Sequence, residues 1–311
     1  MIKAYDLIVS GYSSFDHMIT LKSDVVIGKT SLIENASCSN VYWGGCSVNV
    51  AVALQRLGMR AVPVLRVGDD FVSSGFKDFL LDEGIDLETI TIVEGDVNST
   101  SFMLQMPDGE HITTFYPGAM DEKYATSLPL EWFEKSRAAL ITVASHVDNG
   151  LFLSRAKEAG IPIYFGMKGD PDAFPPDLLT EILLSSRIIF MNETESAQIQ
   201  SLYGYTGITD IFRAGHADVI VVTKGGRGAT YYTAEGESNT VPSRRVERIV
   251  STTGGGDAFI SGFLFGLNQG ASYDLCCRYG ATVSSFALET EGCITNLPTR
   301  AQLIARMETE D

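Results

Sequence analysis

Three consecutive glycines, Gly254-Gly255-Gly256, run into Asp257 and then into the apolar stretch Ala258–Leu267. Glycines at a helix start leave backbone N–H groups bare where positive partial charge gathers, and such a site binds anions. An acid beside an anion site repels the ligand unless it acts as a base or pairs with a cation. That conflict suggests phosphoryl transfer: Gly254, Gly255 and Gly256 hold the phosphate through their N–H groups, and Asp257 takes the proton of the attacking hydroxyl. The competing reading is a plain glycine turn with an acid in the first turn of a helix.

Other residues suit the same chemistry. Asp16 follows the apolar run Tyr5–Gly11, which reads as a buried strand, so it is expected just past a strand end, where α/β sheets bind ligands. Gly44-Gly45 opens an amphipathic helix with Val48, Ala51, Leu54 and Leu57 facing the core and Gly58 as its stop. Its glycines admit a ligand to the backbone, and Asn49 offers a hydroxyl both a donor and an acceptor. Asn192 and Glu195, at i and i+3 after the strand Arg187–Met191, can point at a hydrated Mg²⁺ or its phosphate, or form an ordinary helix N-cap. Thr223-Lys224-Gly225-Gly226-Arg227-Gly228 sets two cations and a hydroxyl on a glycine loop after the strand Asp218–Val222. This is a nucleotide-phosphate contact or a hairpin turn, and it is no Walker A loop.

The elements that must position these residues alternate. Ala61–Val67 reads as a strand and Phe71–Glu83 as a helix. From Ala138 the rhythm continues as strand Ala138–Val143, helix Gly150–Ala159, strand Pro162–Phe165, helix Asp177–Leu184 and strand Arg187–Met191. Such alternation predicts a mostly parallel sheet with helices on its faces. Helices are expected over Ala258–Asn268, Ser272–Glu289 and Arg300–Met307. Two interruptions, His17–Leu21 with Ser39–Trp43, and a hairpin of Ser99–Met106 and His111–Tyr116 turning through Pro107–Glu110, alternate with period two. Together they would make a small sheet unable to bury both faces. It is a cover over the active site, a dimer interface, or both.

At 311 residues the natural arrangement is one large domain with a small appendage. Lys and Arg number 23 against 39 Asp and Glu, a net −16, which disfavours nucleic acid or an anionic membrane as partner. Cys38, Cys46, Cys276, Cys277 and Cys293 are odd in number without a CxxC pair, so neither a disulfide framework nor a zinc site is expected. Reduced thiols, no long apolar run and no signal-like N-terminus point to a cytoplasmic protein.

The assembled motifs resemble the ribokinase-like carbohydrate kinase (PfkB) family. Gly44-Gly45-xxx-Asn49-x-Ala51-xx-Leu54-xx-Leu57-Gly58 matches its N-terminal signature and Thr253-Gly254-Gly255-Gly256-Asp257-Ala258-Phe259 its C-terminal one. Asn192-xx-Glu195 and Thr223-x-Gly225-xx-Gly228 fall between them in the family's order, so the resemblance spans essentially the whole chain. It implies an α/β fold: a three-layer α/β/α ribokinase-like core over 1–311, with a discontinuous β lid from about 14–43 and 98–118. It also implies ATP-dependent phosphorylation, with Mg²⁺, of a primary alcohol on a sugar or nucleoside. Asp257 is then the base, and Gly254, Gly255 and Gly256 are the anion hole. Asn192 binds phosphates with Glu195 at the metal, Thr223, Lys224, Gly225 and Gly228 contact the nucleotide, and Asp16, Gly44, Gly45 and Asn49 grip substrate hydroxyls.

Three positions depart from the family. Gly255 stands where Ala is common, and Ser251 stands where an Asp often lies near a monovalent-cation site, which leaves potassium activation open. Gly166-Met167-Lys168 replaces an Asp-x-Asn stretch, and Lys168 is expected to reach the cleft with phosphate-neutralising charge. Aromatics in the lid hairpin and in Phe115-Tyr116-Pro117-Gly118-Ala119 favour an adenosine-type nucleoside over fructose or ribose, because a base needs a stacking face. The alternative function is a catalytically idle, sugar-binding regulatory member, whose signature would be loss of the base or the anion hole.

Overall fold

Strands of the central sheet are buried on both faces, and their side chains feed two separate cores. In β1 (Leu7–Ser10), Leu7 and Val9 join one apolar cluster while Ile8 joins the other. Period-two alternation with both faces apolar requires a layer of helices on each side. The computed structural model describes residues 3–108 and 110–309, so Gly109 of the expected hairpin turn lies outside the described residues.

The chain runs β1, β2 (Ser14–Thr20), β3 (Tyr42–Gly44), α1 (Cys46–Arg56), β4 (Ala61–Val67), α2 (Phe76–Asp82), β5 (Ile90–Ile92), β6 (Thr100–Gln105) and β7 (His111–Tyr116). It continues through α3 (Leu130–Glu134), β8 (Ala139–Ile141), α4 (His146–Glu158), β9 (Ile163–Gly166), α5 (Pro176–Ser185), β10 (Ser186–Asn192), α6 (Glu193–Tyr203) and α7 (Ile211–Ala214). The last part comprises β11 (Val219–Thr223), β12 (Ala229–Thr233), β13 (Ser238–Val241), α8 (Gly255–Asn268), α9 (Tyr273–Ala287) and α10 (Arg300–Glu308).

The large sheet has the order β13-β12-β11-β10-β9-β8-β1-β4-β5, parallel except where β12 meets β11 and β13. One face is covered by α1, α2, α8, α9 and α10, contributing Leu54, Phe76, Phe263, Cys276 and Leu303. The other is covered by α3 to α7, through Trp132, Phe152, Leu179, Ile199 and Ile211. This is the three-layer α/β/α arrangement expected from the sequence. The chain leaves β1 for β4 on one side and returns beside β1 as β8, so strand order reverses there. Crevices at such a reversal, outside the strands' carboxyl ends, are where open α/β sheets bind ligands.

A second sheet, β3-β2-β6-β7, stands over those ends. It is mixed: β2 pairs parallel with β6, while β3 and β7 pair antiparallel at the edges. All six residues of β7 are exposed. The Asp96 carboxylate accepts hydrogen bonds from the Tyr116 and Tyr124 hydroxyls, tying the end of β7 to the core.

Four details differ from expectation. Asp16 lies within β2 and not in a loop past β1, because the chain turns into the lid directly after Gly11. The helix expected from Phe71 begins at Phe76, since Gly75 adopts a left-handed φ of 80° that interrupts a helix. Helix α8 starts at Gly255, earlier than Ala258, so two glycines lie in its first turn. Edge strands β5 and β13, with α3 and α7, carry too few residues to show a period in the sequence. Among the described residues no helix is long and apolar enough to cross a membrane.

Candidate active site

The glycine turn is shaped for N–H groups. Gly254 caps α8 with φ of 78°, and a Cβ there would stand 2.7 Å from the Cys293 Cβ, so both backbone and space require glycine. The Gly255 N–H closes a turn on the Thr252 carbonyl at 3.3 Å. Those of Gly254, Gly256 and Asp257 have no carbonyl partner among the described residues, and they face the helix's positive end. Ser251, beside this turn, accepts the Thr253 N–H on its hydroxyl at 3.2 Å.

Asp257 follows at once, 3 % exposed. Its Oδ2 accepts a 2.8 Å hydrogen bond from Asn49 Nδ2. Its Oδ1 is buried with no hydrogen-bond partner, as is Asn49 Oδ1. Because the Asn49 amide nitrogen is committed to Asp257, the orientation of that amide is fixed and its oxygen is left as a free acceptor. Two buried acceptors lacking donors are costly, and hydroxyl groups are of the right chemistry to satisfy them.

Asn49 is delivered by α1, whose N-cap Gly45 has φ of 93° and presses on the Tyr12 carbonyl: a Cβ would fall 2.2 Å from it. A Cβ on Gly44 would lie 2.7 Å from Asp16 Oδ2 and 3.4 Å from Asn49 Oδ1, so Asp16, Gly44, Asn49 and Asp257 are brought together beneath the lid. Ser14 donates to Asp16 Oδ1 at 2.5 Å. Burial raises the Asp16 carboxyl above its usual range, against the Ser14 hydroxyl, His17 and Ser101, which lower it.

On the other side of the turn, Thr223, Gly225, Gly228, Gly255 and Gly256 line a cavity of about 370 Å³ whose apolar wall includes Val246, Ile249 and Leu288. Gly228 is compelled, since a Cβ there would meet the Val241 carbonyl at 2.0 Å. Lys224 does not line this cavity; its N–H donates to the Gly228 carbonyl and closes the turn. Arg227 pairs with Glu193.

A smaller space of about 70 Å³ shares Thr223 and Gly256 with this cavity and is lined also by Lys168, Asn192 and Glu195. Asn192 and Glu195 form a reciprocal capping box: Asn192 Oδ1 accepts the Glu195 N–H at 2.9 Å, and Glu195 Oε2 accepts the Asn192 N–H at 2.7 Å. The N-cap reading is therefore realised, with the Glu195 carboxylate buried at the same time. Burial raises its pKa, partly offset by the Asn192 N–H, Lys168 and the Gly169 N–H. Lys168 places its Nζ 3.7 Å from Asp257 Oδ1. The Asp257 carboxylate chiefly, with Glu195 adding to it and burial opposing, holds the ammonium well above its ordinary pKa, so it stays charged.

Two of the five thiols lie in the site, where the sequence did not place them. Cys46 lies beside Asp257, and burial first, then the carboxylate's charge, pushes it up to about 12. Cys293, under Gly254, is raised for the same reasons, so both remain neutral thiols. Adjacency of Cys46 to Gly44-Gly45 was the only available signal for it; nothing local marks Cys293.

Fold and site together define an α/β protein in which a cavity and a cluster of buried acceptors adjoin one helix N-terminus. Residues 11–300 match the model of the pfkB family carbohydrate kinases, and the chain belongs to that family, as a phosphotransferase. It is 28% identical over 269 residues to a nucleoside kinase of Methanocaldococcus jannaschii, covering 86% of each chain. To a nucleoside kinase of Methanothermobacter thermautotrophicus it is 28% identical over 308 residues, 98% of this chain and 96% of that one. The crystal structure of the Methanocaldococcus jannaschii nucleoside kinase, described as an archaeal member of the ribokinase family, superposes with a TM-score of 0.89 at 26% identity over 100% of both chains.

Proposed function

We propose that the protein transfers the terminal phosphoryl group of ATP to a primary hydroxyl of a ribonucleoside, an adenosine-type nucleoside being favoured over a simple sugar. The observation that carries this reading is the buried, unpartnered Oδ1 of Asp257, the residue next to Gly256, which lines the 370 Å³ cavity. An acceptor hydroxyl donating to that oxygen satisfies it and stands beside the free N–H of Gly256. Asp257 takes the proton as the oxygen attacks, a contribution of about 10²–10⁴-fold. The glycine N–H groups receive the phosphoryl oxygens, and Asn49 Oδ1 and Asp16 orient neighbouring hydroxyls. Nucleoside kinases among the similar proteins support the acceptor class. So does the aromatic pair Tyr12 and Phe115, with ring centroids 4.9 Å apart where the lid meets the core.

The donor nucleotide occupies the 370 Å³ cavity, its phosphates directed at Gly255 and Gly256. Among the described residues no three His, Cys, Asp or Glu gather to cage a metal ion. The single buried carboxylate of Glu195 fits Mg²⁺ in its usual form, mostly hydrated and held by substrate phosphates with one protein carboxylate. Bound there, the ion neutralises phosphate charge. The lid covers the acceptor and provides a contact to a second copy of the chain.

The test is ADP release from ATP and Mg²⁺ against ribonucleosides, ribose, fructose and phosphosugars. Turnover with a nucleoside supports the reading, turnover with sugars alone corrects the acceptor, and none with any acceptor overturns it. Asp257→Asn is expected to lower kcat by about 10²–10⁴-fold with ADP binding kept.

A further inference from the structure

Lys168 lines the small space but is absent from the lining of the larger nucleotide cavity. Its ammonium is 3.7 Å from Asp257 Oδ1, which is ion-pair distance but too long for a hydrogen bond. It donates no hydrogen bond to any described residue, and that carboxylate oxygen accepts none. The side chain is 41% exposed and is followed by Gly169, so it is free to swing. Around it stand Asp257 and Gly256 of α8, Cys46 of α1, Glu195 of α6 and Cys293 after α9, a set with two carboxylates, two thiols and no second cation.

We propose that Lys168 is a catalytic cation shared between the two sites: it rests against Asp257 in the free protein and passes to the phosphoryl group in flight. This rests on the kinase reading above. The physical argument is one of reach and balance. A resident nucleotide lies in a cavity that Lys168 does not line, whereas Thr223 and Gly256 line both that cavity and the small space beside Lys168, so a phosphoryl at Gly256 lies at the edge of the space that the ammonium lines. The arriving phosphate brings negative charge toward a buried carboxylate, and the nearest counter-charge is an ammonium whose three donors are unused. Leaving Asp257 therefore breaks no hydrogen bond, while joining the phosphoryl oxygens forms charge-assisted ones. The charge is then expressed in transfer and not in holding ATP, the pattern that lowers kcat without changing KM when removed.

The test compares Lys168→Met and Lys168→Arg with the unaltered protein. Lys168→Met is expected to leave KM for ATP and the Kd for ADP within about threefold while kcat falls about 10²–10³-fold, the range for losing one transition-state donor. Lys168→Arg restores a tenth or more of kcat. A readout independent of turnover is the tightening of ADP binding by aluminium fluoride, a mimic of the transferring phosphoryl, in the presence of Mg²⁺ and acceptor. It is expected in the unaltered protein and lost in Lys168→Met. Lys168→Gln, with Tm measured for each variant, serves if Lys168→Met does not fold. Weaker ATP and ADP binding with kcat intact, or unchanged parameters throughout, overturns the proposal while leaving the kinase reading standing. An unaltered protein that turns over no acceptor overturns both.

Discussion

At the scale of single residues, the site gathers acceptors. Asp16, Asn49 and Asp257 are all buried, and two of their oxygens lack donors, which is how a pocket for hydroxyl groups is built and how a pocket for an anion is not. The same burial sets a pH dependence. Asp16 has its folded pKa raised by desolvation, so its contribution favours the folded state below the ordinary carboxylate range and is lost as pH rises through the raised value. Asp16→Asn removes that penalty. We expect its Tm to exceed that of the unaltered protein at pH 7 to 8, the gain shrinking to nothing as the pH falls below the ordinary carboxylate range at about pH 3 to 4. Acceptor KM should rise in the same variant. A Tm difference independent of pH would show that Asp16 is not a desolvated carboxylate.

At the scale of elements, the helix start formed by Gly254 to Asp257 is what distributes tasks among three glycines. Gly254 supplies the left-handed turn against Cys293, while Gly255 lies in the first turn of α8, where a Cβ would meet the Leu288 methyl at 3.3 Å, and Gly256 has open space. Gly254→Ala is expected to cost about 1–2 kcal/mol or more, because a strained φ and a clash with Cys293 add together, and to abolish most activity. Gly255→Ala should fold normally and gain up to about 1 kcal/mol of helix stability, since the end of the Leu288 side chain can shift by a few tenths of an ångström. Urea unfolding of both variants separates these expectations. Equal losses would mean that the turn tolerates no Cβ anywhere.

For the whole molecule, the lid is the part whose surface is unfinished. Every residue of β7 is exposed, and Ile27, Val25, Val26, Ile33 and Ile112 are exposed apolar side chains on or beside the small sheet. A two-sided sheet of four strands with one face toward the site leaves the rest uncovered, and the second copy proposed above would cover it symmetrically. Sedimentation at micromolar concentration should give a dimer, and Ile27→Lys with Ile112→Lys should give a monomer that stays folded. A monomeric unaltered protein would remove the lid contact.

Sequence by itself determined the strand and helix rhythm of the core, the order of the glycine turns, and the identity of Asp257 as the acid to ask about. Those features are local: periodicity is written in neighbouring side chains, and a glycine's backbone demand concerns the atoms around it. It also raised Lys168 as a cation in the cleft, but not the carboxylate it would meet. Only the tertiary structure decided that Asp16 belongs to the lid, that Asn49 holds Asp257, that Asn192 and Glu195 cap each other, and that Lys224 is not among the residues lining the 370 Å³ cavity. Cys46 and Cys293 beside Asp257 belong to the same class. Such convergences join residues far apart in the chain through the packing of α1 on α8 and of the lid on the strand ends. No short window of sequence carries that information, because the contacts exist only after the long loops between them have closed.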